Sequence, residues 1–140
     1  MQRIVVGIDG SKGATTALTW AVEEAMRRDA TVEVVYAWHV PYVEGYPYAR
    51  AQFDPGEFET AAQAVLDETV ASLGDVPVVI STVARCGTPS SVLVEAAKGA
   101  DLLVVGSRGR GGFTGLLLGS VSQQVSHHAP CPVVIVPQTD

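Results

Sequence analysis

Apolar residues come along this chain in two alternating rhythms. Residues 4–8 read IVVGI, a short apolar run that stops at Asp9-Gly10-Ser11, a turn followed by a helix-cap signal. From Ala14 the apolar positions Leu18, Ala21, Val22, Ala25 and Met26 recur at helical spacing, and Glu23, Glu24, Arg27 and Arg28 fill the remainder. The pattern predicts a strand, then a helix with one face on a sheet. It repeats: VEVVYAW (32–38) precedes a helix over 58–73, PVVISTVA (77–84) a helix over 89–98, and DLLVVG (101–106) a helix from Ser120, before PVVIVP (132–137) closes the series. Thr88-Pro89 supplies an N-cap and a first-turn proline for the third helix. Strands that are nearly all apolar are buried on both faces, which alternating helices achieve by covering a parallel sheet on both sides. The predicted fold class is therefore α/β, a single open parallel five-stranded sheet flanked by four helices.

Length and composition narrow the picture. The 140 residues suit one domain, 1–140, with no internal repeat or linker. A hydrophobic content of 47% with 17% charged residues excludes a disordered chain. No apolar run approaches the roughly 18 residues of a membrane helix, and the IVV near the N-terminus is too short for a signal-peptide core, so a cytoplasmic protein with no membrane partner is expected. A net charge of −6 argues against nucleic acid, whose affinity rests on Lys and Arg neutralising phosphates. Local positive potential survives an acidic whole, and Arg108 and Arg110 fall inside a glycine-rich stretch. Cys86 and Cys131 have no CxxC spacing and no metal-ligand neighbours, so no metal site is expected from them.

That stretch, VVGSRGRGGFTGLLLGSVS (104–122), carries the candidate chemistry. Its glycines stand between a buried-strand run and a helix start. In an open parallel sheet, ligands bind outside the carboxyl ends of the strands where the strand order reverses, so the position is already a site position. Gly119-Ser120 opens a helix whose free N–H groups and positive dipole end suit an anion, and glycine-freed amides form a nest around phosphate oxygens. The alternative is that the glycines permit a tight strand-to-helix passage. Two familiar motifs are excluded: there is no GxxxxGK[ST], and the dinucleotide pattern fails because the sixth position from Gly109 is Thr114.

What fits is G-x2-G-x9-G-S, read as Gly106, Gly109, Gly119 and Ser120. That spacing after a VVG strand end, with GIDGS at the first strand end, resembles the ATP-binding branch of the universal stress protein family, and the layout matches over essentially the whole chain. The resemblance implies an adenine nucleotide alpha hydrolase-like, Rossmann-like sheet of order 3-2-1-4-5, a homodimer, and nucleotide at the junction of strands one and four. Carried over, it puts Asp9 beside the nucleotide, where its carboxylate accepts a ribose hydroxyl bond or holds a water bound to Mg²⁺; a turn residue is the other reading of Asp9. Backbone near Ala37 corresponds to the adenine-recognising segment, and Gly7 and Ile8 flank base or sugar. Gly106, Arg108 and Gly109 approach sugar and phosphates, while Gly119, Ser120, Val121 and Ser122 bind phosphates through amides and hydroxyls. A Cβ at Gly119 is expected to block phosphate and to strain the helix entry.

The implied role is a nucleotide-dependent regulatory or stress-response protein with ATP and Mg²⁺ bound and no catalytic residues. A slow ATPase, a cyclic-nucleotide-binding protein of the same fold and an interaction module with a structural nucleotide are the alternatives. In the implied order the last strand is an apolar sheet edge, and antiparallel pairing with its own copy removes that liability. Cys86 and Cys131 then fall at opposite edges and ends of the sheet and are expected as free thiols. The adjacent His127 and His128 point about 100° apart on a helix and read as helix-end residues. Thr88, Ser90 and Ser91 lack a nucleophile-elbow context. Residues 39–54, with Tyr42, Tyr46, Tyr48 and Phe53, read as a surface loop, a lid or a subunit contact.

Overall fold

The alternation appears in space as two hydrophobic layers on one sheet. The computed structural model describes residues 2–39, 54–107 and 118–138. Its elements are β1 (Arg3–Ile8), α1 (Lys12–Arg28), β2 (Thr31–Trp38), α2 (Pro55–Ala71), β3 (Ile80–Cys86), α3 (Pro89–Ala96), β4 (Leu102–Gly106), α4 (Ser120–His128) and β5 (Val133–Val136). Every strand pairing is parallel and the order is β3-β2-β1-β4-β5, as the family resemblance implied. Successive side chains of a strand point to opposite faces. In β1, Ile4, Val6 and Ile8 join the layer under α1 while Val5 joins the layer under α3; in β4, Leu102 and Val104 face one way, Leu103 and Val105 the other. The central strands β1 and β4 are mostly buried, β2 is buried in its middle, and the edge strands β3 and β5 are only partly so.

Local chemistry fixes the helix starts. Ser11 caps α1, its hydroxyl accepting from the Ala14 N–H, and α2 starts at Pro55 because Asp54 caps it through the Gly56 N–H. This start lies three residues before the expected Phe58. The third strand begins later than the expected Pro77: Pro77 has no N–H to give a ladder, Val79 is 71% exposed, and pairing with β2 begins at Ile80 and runs on to Cys86. The third helix ends at Ala96, short of the expected Lys98. Thr88 sits at its N-cap position, yet its hydroxyl bonds to the Ser91 hydroxyl and caps no backbone N–H. Of the segment 39–54, only His39 and Asp54 lie within the described residues.

A cation closes the opposite end of the sheet. Arg3 donates from Nη1 to the Ala96 carbonyl (3.2 Å) and from Nη2 to the Lys98 carbonyl (2.7 Å), satisfying the open end of α3, and its Nη1 stands 3.4 Å from Glu33. Its backbone N–H donates to Asp101.

Candidate functional site

The carboxyl ends of β1 and β4 separate before either strand finishes. Their mutual ladder ends at Val6 and Val104, whereas β1 stays paired with β2 through Ile8 and Tyr36, and β4 with β5 through Gly106 and Val136. A crevice therefore opens between β1 and β4, at the one point where the order of strands reverses.

Ser107 and Gly119 close the far side of this crevice. The Gly119 N–H donates to the Ser107 carbonyl at 2.6 Å. The Ser122 hydroxyl, 2% exposed, shares its hydrogen between the carbonyls of Ser107 (3.1 Å) and Gly119 (2.9 Å). Ser107 is held in turn from β5: its N–H donates to Val136 and its hydroxyl accepts from the Gln138 N–H. The two ends of the glycine stretch are thus pinned together, and α4 is aimed at the strand end. The first intrahelical bond of α4 runs from the Gln123 N–H to Gly119, so the amides of Ser120, Val121 and Ser122 precede the helical ladder. Three open donors at the positive end of a helix dipole form an anion-receptive surface.

Across the crevice lies the turn after β1. The Asp9 carboxylate accepts the Ser11 N–H at 2.8 Å, and Gly10 takes φ 81°, a conformation that suits glycine. Asp9 is therefore a turn residue by geometry, half-exposed, and it also borders a cleft of about 360 Å³ between α1 and α2, lined with Thr15, Tyr36, Glu68 and Thr69. Two carboxylates on that cleft, Asp9 and Glu68, disfavour phosphate there.

The other expected residues fall as follows. Ile8 is buried in the α1 layer. Gly7 lies in β1 where a Cβ would stand 2.7 Å from Leu93 Cδ1, so its smallness admits α3 to the sheet. Ala37 is next to last in β2, beside Arg85 of β3. Gly119 has φ −77° and ψ 171°, ordinary extended backbone; the expected strain on substituting it is absent, and only the steric half of that argument stands. Arg108 and Gly109 lie outside the described residues, as does Arg110. Sequence reasoning missed Ser107, whose one available signal was a polar residue directly after an all-apolar strand.

Among the described residues no three His, Cys, Asp or Glu side chains cluster to hold a metal, and no helix is long and apolar enough to cross a membrane. Both cysteines are free, and His127 and His128 are exposed at the end of α4. Ser90 bonds to Gln124.

Comparison with known proteins gives this arrangement its context. The model of the universal stress protein family matches residues 1–137. A universal stress protein of Mycobacterium tuberculosis H37Rv is 40% identical over 97% of this chain and 45% of its own length; the chain spans about half the length of the curated relatives it matches. Among solved structures, UspA from Lactobacillus plantarum superposes with a TM-score of 0.82 at 23% identity, covering 96% of this chain and 97% of that one. A universal stress protein solved in complex with cAMP does so with a TM-score of 0.72 at 29% identity, covering 96% of each. With its sheet order, its crevice between β1 and β4 and this family match over nearly its full length, the chain belongs to the universal stress protein family.

Proposed function

We propose that this protein binds ATP at the crevice between β1 and β4 and acts as a nucleotide-dependent regulator in stress physiology. The observation that carries the reading is the parting of β1 from β4 beside the three open amides of α4. A polyphosphate is the anion that uses several donors at once, and the amides of Ser120, Val121 and Ser122 would hold it with Gly106, Arg108, Gly109 and Gly119 around it. Asp9 faces the sugar or a Mg²⁺-bound water, Gly7 and Ile8 form the floor, and backbone at Ala37 reads the base. Mg²⁺, when bound, neutralises phosphate charge. Asp9 would meet it through a bound water, and its direct ligands would be phosphate and water. The protein's own part is to bind and orient the nucleotide; no residue is assigned a catalytic role. A two-fold homodimer through β5 and a cytoplasmic location complete the proposal.

The solved relative in complex with cAMP supports a second reading, in which a cyclic nucleotide occupies the crevice. The small molecule released by denaturing the purified protein, identified by mass spectrometry, separates the two. ATP is the expected finding; a cyclic nucleotide favours the second reading, and neither, together with no calorimetric binding of either, overturns both.

A further inference from the structure

Among the described residues, one buried side-chain polar atom has no hydrogen-bond partner: the indole Nε1 of Trp38. Such a donor is costly to leave unmet, and buried polar groups in native proteins are nearly always satisfied. Its place in the fold says what meets it. Trp38 is the last residue of β2, and the alternation that puts Val34 and Tyr36 in the layer under α1 puts Trp38 on that same face. The β1–β2 ladder ends at Ile8 and Tyr36, so Trp38 stands two residues past it, level with the turn at Gly10 that opens α1. Its backbone is fixed from the other side, where its carbonyl accepts the Gly87 N–H at 2.8 Å. Among the described residues, neither hydrophobic layer includes its ring. The indole therefore sits beyond the core, at the carboxyl edge of the sheet, on the strand beside β1.

We infer that the Trp38 indole N–H is a ligand-reading donor, satisfied by an acceptor on the nucleoside half of the bound nucleotide. This rests on the nucleotide reading above and extends it. Phosphates seated on α4 lie at the end of β4, and a nucleotide running from there across the end of β1 reaches β2, where the Trp38 donor has no partner among the described residues. The phosphate end is recognised by amides and is indifferent to the nucleoside; the indole supplies a contact that only a nucleoside makes.

Calorimetry and indole NMR on the full chain test this, with ATP and inorganic tripolyphosphate as probes. The chain has two tryptophans, so Trp20→Phe leaves the Trp38 indole proton as a single resonance. Saturating ATP is expected to move that resonance downfield and slow its solvent exchange, while tripolyphosphate leaves it in place. Trp38→Phe keeps the aromatic ring and is expected to weaken ATP roughly three- to tenfold, the scale of one neutral hydrogen bond, with tripolyphosphate unchanged. An unmoved resonance at saturating ATP, or equal loss for both probes, overturns the inference while leaving nucleotide binding intact. Failure of the wild type to bind ATP at all defeats the nucleotide reading first and takes this inference with it. Should Trp38→Phe not fold, the resonance arm retains Trp38 and decides the matter alone.

Discussion

The hydroxyl of Ser122, on the first turn of α4, donates across the base of the glycine stretch to the carbonyl of Ser107 at the end of β4. That bond is buried, and its acceptor also takes the Gly119 N–H. Ser122 therefore acts on the site by closing the stretch, which leaves its amide free for an anion and its hydroxyl engaged.

The neighbouring Ser120 separates structure from binding. Its side chain is exposed, whereas that of Ser122 is 2% exposed. Ser122→Ala is expected to lower stability by about 0.5–1.5 kcal/mol, the net value of one intramolecular hydrogen bond, as read by urea denaturation. Ser120→Ala should leave stability within about 0.5 kcal/mol, as surface changes do. If ATP affinity falls in Ser120→Ala alone, its hydroxyl is a ligand; if Ser122→Ala costs no stability, the closing role assigned to it is wrong.

Arg3 carries an expectation of another kind. Its two guanidinium branches reach two separate carbonyls at the end of α3. A lysine places one ammonium where the fork places two nitrogens. With its side chain one-third exposed, Arg3→Ala is expected to cost about 1–2 kcal/mol, and Arg3→Lys to recover less than half of that. Full rescue by lysine in chemical denaturation would show that charge alone matters.

These two serines and this arginine also mark how far the sequence could be read. The apolar runs at 4–8 and 101–106 declared two-sided burial, and Ile4, Val5, Leu103 and Val104 are fully buried as that pattern requires. Ser11 announced α1 because a cap acts on residues next to it. Pro77-Val78-Val79 misled because composition alone does not say which N–H groups a ladder can use. Arg3 gave no signal at all: its acceptors at Ala96 and Lys98 are 93 and 95 residues away, and only the crossover that sets β4 beside β1 brings them together. The pairing of Ser122 with Ser107, 15 residues apart, gave no signal either. The polar contacts that shape the site are non-local, while periodicity reports local structure and burial.

The cysteines should differ in reactivity. Cys86 is exposed at the end of β3, whereas Cys131 is half-buried ahead of β5, where burial pushes its thiol up against a smaller opposing pull from the Arg3 charge. The thiolate is the reactive form, so Cys131 loses on both access and ionisation. Iodoacetamide near neutral pH is expected to label Cys86 first, and denatured protein to titrate two thiols. Faster labelling of Cys131, read by peptide mapping, would contradict its burial.

The edge position of β5 makes association testable. Val133, Val134 and Ile135 are only partly buried, and one side of β5 has no strand beside it among the described residues. An apolar edge of this kind invites a further strand, and a two-fold axis makes the added strand antiparallel and self-complementary. Light scattering at micromolar concentration is expected to give twice the chain mass, and Val134→Lys to shift the population toward monomer. A well-behaved monomer from the unaltered chain would rule this dimer out.

ATP should bind more tightly than AMP or cAMP. The amides of Ser120, Val121 and Ser122 offer more anion positions than a single phosphate fills, and each hydrogen bond to a charged group contributes on the order of 1.5–3 kcal/mol net of water. Gly119→Val isolates this effect. With φ −77° the backbone at Gly119 accepts a side chain, so the fold is expected to survive, and the loss comes from a branched Cβ placed where phosphate approaches the helix. Arg108→Ala is expected to weaken ATP by about 1.5–3 kcal/mol if its guanidinium reaches the phosphates. Calorimetry of all three nucleotides with the wild type and both variants gives the answer. Equal affinities for ATP and cAMP, or a Gly119→Val protein that binds ATP like the wild type, would mean that no polyphosphate rests on α4.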